Sequence, residues 1–236
     1  MYYWNDANFE GLLAVAEALE AHPALAPLAE YCRLREKGLR KDAFRSLESF
    51  LTSAQAWPQA KARRATIEIL ETQARVADAH QFMSQPVWDK LVLPTLTSWH
   101  AESPEEWVAM RWLGLVERQE ELLRRALALE PGDFPVRKVL AQWALDRVGY
   151  ATHHLGESRF LGEVDDAERA LRDARELLVG CPEQAGLEYL RQKLLRNTAL
   201  IADWKTFSEE GTGTFPEWCA SQGRDYQFTP TYYYTK

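Results

Sequence analysis

The chain has 236 residues, of which 46% are hydrophobic and 27% charged, an ordinary composition for a soluble protein. It contains no apolar run near the roughly 18 residues that a membrane span needs, and its N-terminus lacks the features of a secretory signal. The net charge of −7 argues against nucleic-acid binding, because phosphate recognition depends on clustered Lys and Arg, but it is compatible with a basic protein partner.

The first hundred residues are predicted to be helical. Apolar residues recur at spacings of three and four, as on the buried face of a helix, and Pro or Gly marks the boundaries. Pro94 is predicted to kink or break the last helix of this region. The predicted helices cover residues 6–19, 25–37, 41–53 and 57–79, followed by one that begins at Gln85-Pro86.

Residues 103–182 are predicted to form three amphipathic helices, around which the rest of the chain is organised. The first begins at Ser103 and Glu106, a pair with the spacing of a capping box, and is predicted to run unbroken to Pro131. The second opens at Asp133 and stops at Gly156, where glycine can adopt the left-handed conformation that ends helices. Four residues on the apolar stripes are predicted to be buried: Trp112, Trp143, Leu171 and Ala174.

The stretch of residues 103–182 carries features of a known repeat family. Gly162, Ala167 and Ala174 have the mutual spacing of the glycine and alanines of tetratricopeptide repeats, and residues 125–131, RALALEP, are similar to the usual repeat ending. Two features depart from the family pattern. Leu155-Gly156 lies one residue too close to Gly162, and the interval from Pro131 to Pro182 is roughly 51 positions instead of about 34.

This resemblance implies an all-α fold in which antiparallel helix pairs stack as a right-handed superhelix. An irregular α-helical bundle would give the same periodicity and is the alternative. Another long helix is predicted over residues 187–204, which gives about nine helices in all. We therefore predict a single helical-repeat domain over residues 1–210.

Residues 211–236 form a tail that is rich in aromatic residues and is predicted to pack on the body. Open helical arrays need their last apolar face covered, which favours a cap over a free docking arm. Pro216 and Pro230 disfavour a long helix, so an extended, irregular segment is predicted, with Trp218 and Phe228 buried and the tyrosines at 232–234 less constrained.

The densest group of titratable residues is His153, His154 and Glu157. His153 and Glu157 would share a helix face if the helix ran past Gly156, but the HExxH signature is absent and the sequence places no third metal ligand. No GxSxG motif, Gly-rich phosphate loop or Cys–His signature is present. We therefore predict no enzyme activity, metal or cofactor, and keep a metal-dependent enzyme built on these three residues as an alternative.

One stretch of the chain concentrates positive charge. It contains Arg33, Arg35, Lys37, Arg40, Lys41 and Arg45, to which Lys61, Arg63 and Arg64 add. A solvated helix face explains such a run, and a patch for an anion or an acidic partner is the functional interpretation.

The resemblance implies a non-catalytic adaptor that binds a protein or peptide on the concave face of the array. The alternative within binding proteins is a bacterial immunity-type inhibitor of a basic toxin enzyme. The three sparse cysteines, with no CxxC pair, favour a reducing, cytoplasmic location. The partner and the oligomeric state stay open. The predicted partner-binding residues are Arg111, Arg147, Tyr150, His153, His154 and Arg159.

Overall fold

The computed structural model describes residues 6–76, 79, 82–182 and 186–228, with side chains described from residue 11 onward. Every regular element in these ranges is helical and none is a strand, which confirms the all-α class. None of the described helices is both long enough and apolar enough to cross a membrane. Cys32, Cys181 and Cys219 are buried free thiols.

Residue contacts divide the chain into two compact units, Met1–Ala126 and Leu127–Lys236. The prediction of one helical-repeat domain over residues 1–210 stays a prediction. The first unit contains α1 (Asp6–Glu20), a 3-10 turn (Pro23–Leu25), α2 (Ala26–Glu36), α3 (Arg40–Gln55), α4 (Gln59–Arg75), α5 (Gln85–Val87), a π-helical segment (Trp88–Val92), α6 (Leu93–Glu102), α7 (Trp107–Val116) and most of α8 (Glu120–Leu129). The second contains α9 (Phe134–Ala151), a 3-10 turn (Leu155–Glu157), α10 (Val164–Leu178), α11 (Glu188–Glu210) and α12 (Phe215–Ser221).

The first unit is held together by one large apolar core. In α3, for example, Ala43, Leu47, Phe50 and Ala54 recur at helical spacing and are all buried. The same core takes in residues of α1, α2, α4, the π-helical segment, α6, α7 and α8. The apolar faces of the predicted amphipathic helices therefore form the core of this unit.

Pro94 does not break the helix in which it lies. A π-helical segment precedes it, in which the Leu93 N–H donates to the Trp88 carbonyl five residues back. A proline removes one i→i−4 hydrogen bond and its ring clashes with the carbonyl four residues earlier. The wider π turn relieves that conflict, so α5, the π-helical segment and α6 follow one another without a gap.

The helix predicted from Ser103 to Pro131 is in fact two helices, α7 and α8. The chain breaks between them at residues 117–119, where Arg118 has a positive φ of 56°. At Gly114 a Cβ atom would lie 2.8 Å from the Leu123 side chain, so glycine permits the close approach of α7 and α8. The predicted capping box is also wrong, because α7 starts at Trp107 and its N-cap Glu106 makes no side-chain capping bond.

In the second unit, α9 begins where the sequence predicts. The Asp133 carboxylate accepts a hydrogen bond from the Val136 N–H at 3.1 Å, as an N-cap does. The helix ends at Ala151 instead of Gly156. Trp112, Leu171 and Ala174 are buried as predicted, whereas Trp143 is only half-buried. It lies at the edge of the stripe that Leu140, Ala144 and Val148 bury.

The tail is partly helical, which corrects the prediction of an extended segment. Thr214 and Glu217 form a capping box at the start of α12, and Pro216 lies in the first turn, where a missing N–H costs little. Phe215 and Cys219 are fully buried beside Leu155 and Leu200. Trp218 and Phe228, predicted to be buried, are half-buried against this cluster. Pro230 and the tyrosines at 232–234 lie outside the described residues.

Candidate functional site

The second unit contains a polar cleft of about 380 Å³ beside α11. Three segments line it: the turn after α9, one face of α11 and the extended chain after α12. We call this site the α11 cleft. Its lining residues are Thr152, His153, Lys193, Arg196, Asn197, Leu200, Tyr226, Gln227 and Phe228.

The end of α9 supplies one wall of the α11 cleft. Thr152 ends the helix by donating a hydrogen bond from Oγ1 to the Val148 carbonyl at 2.9 Å. The chain then turns, which leaves His153 exposed at the cleft. The His153 ring contacts the His154 ring edge-on, with 4.9 Å between the centroids.

The second wall is α11, which contributes residues 193, 196, 197 and 200. These positions follow the i, i+3, i+4, i+7 pattern and therefore share one face of the helix. Lys193 Nζ lies 2.7 Å from Asp146 Oδ1 in an exposed ion pair. Arg196 is exposed and donates from Nη2 to the Gln227 carbonyl at 3.5 Å. No carboxylate of the described residues lies within ion-pair distance of it.

Asn197 is the unusual residue of this wall. It is only 7% exposed, and its Nδ2 atom is buried without a hydrogen-bond acceptor in the described part of the chain. An unsatisfied buried amide donor costs about 1–3 kcal/mol. A ligand or a water molecule in the cleft that supplied an acceptor would remove that cost.

The third wall is the chain after α12, which Asp203 of α11 anchors. Arg224 donates from Nη2 to Asp203 Oδ1 at 3.1 Å, and its Nε lies 3.0 Å from Oδ2. The Tyr226 hydroxyl donates to the same Oδ2 at 2.5 Å. The Asp203 side chain is only 9% exposed, so these contacts form largely away from water. They hold Tyr226 in place, and the ring of Phe228 packs against those of Tyr226 and Phe215 to complete an aromatic wall.

The buried carboxylate changes the acidity of its neighbours. Burial raises the pKa of the Tyr226 hydroxyl, and the hydrogen bond to Asp203 and the charge of Asp203 raise it further. Burial also raises the pKa of the Cys219 thiol to about 11, with a further contribution from Asp203. Both groups are therefore neutral near pH 7, and neither is activated as a nucleophile or a base.

Of the predicted partner-binding residues, only His153 lines the α11 cleft. Arg147 forms an ion pair with Asp173 at 3.5 Å on the surface between α9 and α10. Tyr150 is 72% exposed and Arg159 is also exposed, both outside the cleft. Arg111 belongs to the first unit, where its guanidinium lies 4.2 Å from the Trp112 ring centroid.

His153 and Glu157 do not share a helix face, since α9 ends before either of them. Glu157 instead contacts the neighbouring histidine, with 2.9 Å between His154 Nδ1 and Glu157 Oε1. Among the described residues, no group of three or more His, Cys, Asp or Glu side chains is placed to hold a metal ion. His154 and Glu157 are thus paired with each other.

Sequence reasoning missed Lys193, Arg196 and Asn197, although one signal was present. Leu190, Leu194 and Ile201 form the apolar stripe of α11, and Asn197 occupies a position on the same stripe. A polar residue on a buried helical stripe must find a partner or lie at a cavity. Asp203, which is 6% exposed on the same helix, could have been found in the same way.

No family model, curated protein sequence or solved structure matches the chain.

Proposed function

We propose that this chain is a non-catalytic binding protein and that its α11 cleft holds an acidic segment of a protein or peptide. The observation that carries this proposal is that two donors with spare hydrogen-bonding capacity line one cleft. The amide nitrogen of Asn197 has no acceptor, and Arg196 has no carboxylate partner among the described residues. A segment that brings carboxylate and carbonyl oxygens would supply both.

The aromatic wall supports a peptide as the ligand. Tyr226 and Phe228 are half-buried and held in place, so they offer apolar contact area at little cost in conformational entropy. Arg and aromatic residues together are typical of the positions that supply most of the affinity in protein interfaces. Arg196, which has no carboxylate partner among the described residues, also favours an acidic partner over the basic enzyme of the immunity-type alternative.

The packing order in the second unit supports a tetratricopeptide-like arrangement as part of this proposal. Helix α9 packs against α10, and α11 packs against both of them. In a stacked array of helix pairs, the first helix of each pair contacts its own partner and the first helix of the next pair. The superhelical arrangement itself is proposed on that basis, together with the family resemblance of residues 103–182.

Labelled peptides test the proposed function directly. A set of eight-residue peptides that contain one aromatic residue and either acidic or basic flanks is titrated against the protein by fluorescence anisotropy. We expect the acidic peptides to bind and Arg196→Glu to weaken them by about tenfold or more, because one charge-assisted hydrogen bond is lost and a repulsion is added.

Arg175→Glu is the matched control. Arg175 is exposed on α10 and does not line the cleft, and its substitution changes the charge by the same amount. It should leave the affinity within about twofold. Equal binding of acidic and basic peptides, or equal loss in both variants, would refute the proposed site.

A further inference from the structure

The first unit contains a separate pocket of about 410 Å³ between the 3-10 turn Pro23–Leu25 and α4. Its lining is mostly apolar. Pro23, Leu25 and the three small residues Ala24, Ala60 and Ala65 form its walls. The alanines leave space that larger side chains would fill, so the pocket follows directly from the sequence of these two segments. We call this site the α4 pocket.

Charged groups border the α4 pocket along one face of α4. Lys61, Arg64 and Glu68 lie at spacings of three and four residues, so they follow one another along the helix. Glu68 contacts His22, with 3.1 Å between Oε2 and Nε2, and this pair occupies one end. The other end is positive.

The two cations at the positive end, Lys61 and Arg64, form no ion pair within the described residues. Lys61 Nζ lies 4.3 Å from the Trp57 ring centroid, in a cation–π contact. Neither Lys61 nor Arg64 has a carboxylate within ion-pair distance in the described part of the chain. An apolar pocket with two cations at one end, neither in an ion pair within the described residues, is complementary to a molecule with an apolar body and one negative group.

We propose that the α4 pocket binds a small amphipathic carboxylate, an aryl- or alkyl-carboxylic acid in its ionised form. The apolar body lies against Pro23, Ala24, Leu25, Ala60 and Ala65, and the carboxylate lies between Lys61 and Arg64. The volume is within the range of about 300–1,000 Å³ that is usual for small-molecule sites. This site belongs to the other unit and does not depend on peptide binding in the α11 cleft.

Charge polarity in the pocket fixes the orientation of such a ligand. A carboxylate placed at the other end would lie beside Glu68, which repels it, whereas at the positive end it gains two donors. The same polarity predicts discrimination against uncharged ligands of equal shape. A preference for the charged ligand would distinguish specific recognition of the carboxylate from burial of an apolar ring alone.

The probe is 2-naphthoate, with naphthalene-2-carboxamide as its uncharged counterpart. Each is titrated into ¹⁵N-labelled protein, and amide chemical shifts report both affinity and location. We expect 2-naphthoate to shift the amides of His22, Ala24, Leu25 and residues 60–68, and the carboxamide to bind about tenfold more weakly. Binding of both probes with equal affinity, shifts centred elsewhere, or no saturable shift would overturn the proposal.

Three variants test whether 2-naphthoate binds in the α4 pocket. Arg64→Gln is expected to weaken 2-naphthoate by about fivefold or more, whereas Arg75→Gln, an exposed change at the end of the same helix, leaves it unchanged. Ala60→Phe fills the pocket from an exposed position and should abolish binding. Equal loss in the Arg64 and Arg75 variants, or full affinity in Ala60→Phe, would contradict the assignment.

The peptide site is tested separately by the same measurement. Arg196→Glu should bind 2-naphthoate as the unchanged protein does, because the α11 cleft is not involved. Loss of 2-naphthoate binding in this variant would place the probe in the α11 cleft and overturn the α4 pocket proposal, while leaving the peptide titration as the test of the proposed function.

Discussion

Two carboxylates, Glu102 in the first unit and Asp203 in the second, each accept hydrogen bonds from a segment far away in the chain. Glu102 accepts hydrogen bonds from Ser98 at 2.8 Å, Gln59 at 2.7 Å and Arg63 at 2.5 Å, which joins α6 to α4. Asp203 accepts from Arg224 and Tyr226, which joins α11 to the chain after α12. The Glu102 side chain is 42% exposed, whereas that of Asp203 is 9% exposed.

Burial therefore decides what each carboxylate contributes. Around Glu102, water replaces any lost hydrogen bond, and the large apolar core of the first unit is unaffected. Around Asp203, loss of a donor leaves a nearly buried carboxylate without its hydrogen bond, and the chain that this residue anchors forms a wall of the α11 cleft. The first unit should thus depend on apolar packing and the second on one polar anchor together with its aromatic cluster.

Removal of the tail should have the largest effect. A chain that ends at Gly213 loses Phe215 and Cys219, both fully buried, and exposes Leu155 and Leu200. Because loss of a buried Phe side chain alone costs about 3–5 kcal/mol, we expect the melting temperature to fall by about 10 °C or more. Calorimetry compares the melting temperature of this chain with that of a chain that ends at Phe228. If the two melt alike, the cap does not stabilise the second unit.

Asp203→Asn should have the next largest effect. The amide keeps the shape and one acceptor oxygen but puts an NH2 donor in place of the other, where it faces a donor of Arg224 or Tyr226. The free energy of unfolding should therefore fall by about 2–3 kcal/mol, which is less than the usual cost of breaking a buried pair because Arg224 is half-exposed. Urea denaturation measures this change. Asp225→Asn, an exposed neighbour, is the control and should stay within about 0.5 kcal/mol. An equal effect of both substitutions would remove the distinction between buried and exposed carboxylates.

Alkaline pH should weaken the same anchor. The pKa of Tyr226 is raised in the folded protein, mainly by burial and then by Asp203, so its contribution to stability is present below the unfolded value of about 10 and is lost as the pH rises above it. The free energy of unfolding should fall more steeply above pH 10 in the unchanged protein than in Tyr226→Phe. Parallel slopes in urea denaturation at these pH values would contradict the raised pKa.

Glu102→Gln should have the smallest effect. The hydrogen bond from Ser98, with the charge of Arg63, lowers the pKa of this carboxyl, so its contribution to stability is present above the ordinary value and is lost as the pH falls through the folded value. We expect a small decrease in melting temperature near pH 7 that disappears as the pH falls through the folded pKa and shrinks with added salt. A decrease as large as that of Asp203→Asn would show that exposure does not separate the two sites.

Local pattern in the sequence was sufficient for much of the helical framework. Apolar spacing predicts α1, α2, α3 and α10 within a few residues, and Asp133 is the N-cap that its position before an apolar stripe predicts. The same reasoning fails at residues 117–119. The break there depends on the contact of Gly114 with Leu123, nine positions later, which periodicity does not encode.

The α11 cleft lies mostly beyond what local pattern can predict. His153 was predicted as a binding residue, but Arg196 and Asn197 gain their significance only from the chain that folds back over α11. The partners of Asp203 lie 21 and 23 positions away. The sequence by itself determined an all-α protein with amphipathic helices and an aromatic tail, because helix formation and burial depend on spacings of three and four residues. Tertiary structure alone decided which polar residues on those helices became buried, paired or left facing a cavity, because that depends on contacts between segments far apart in the chain.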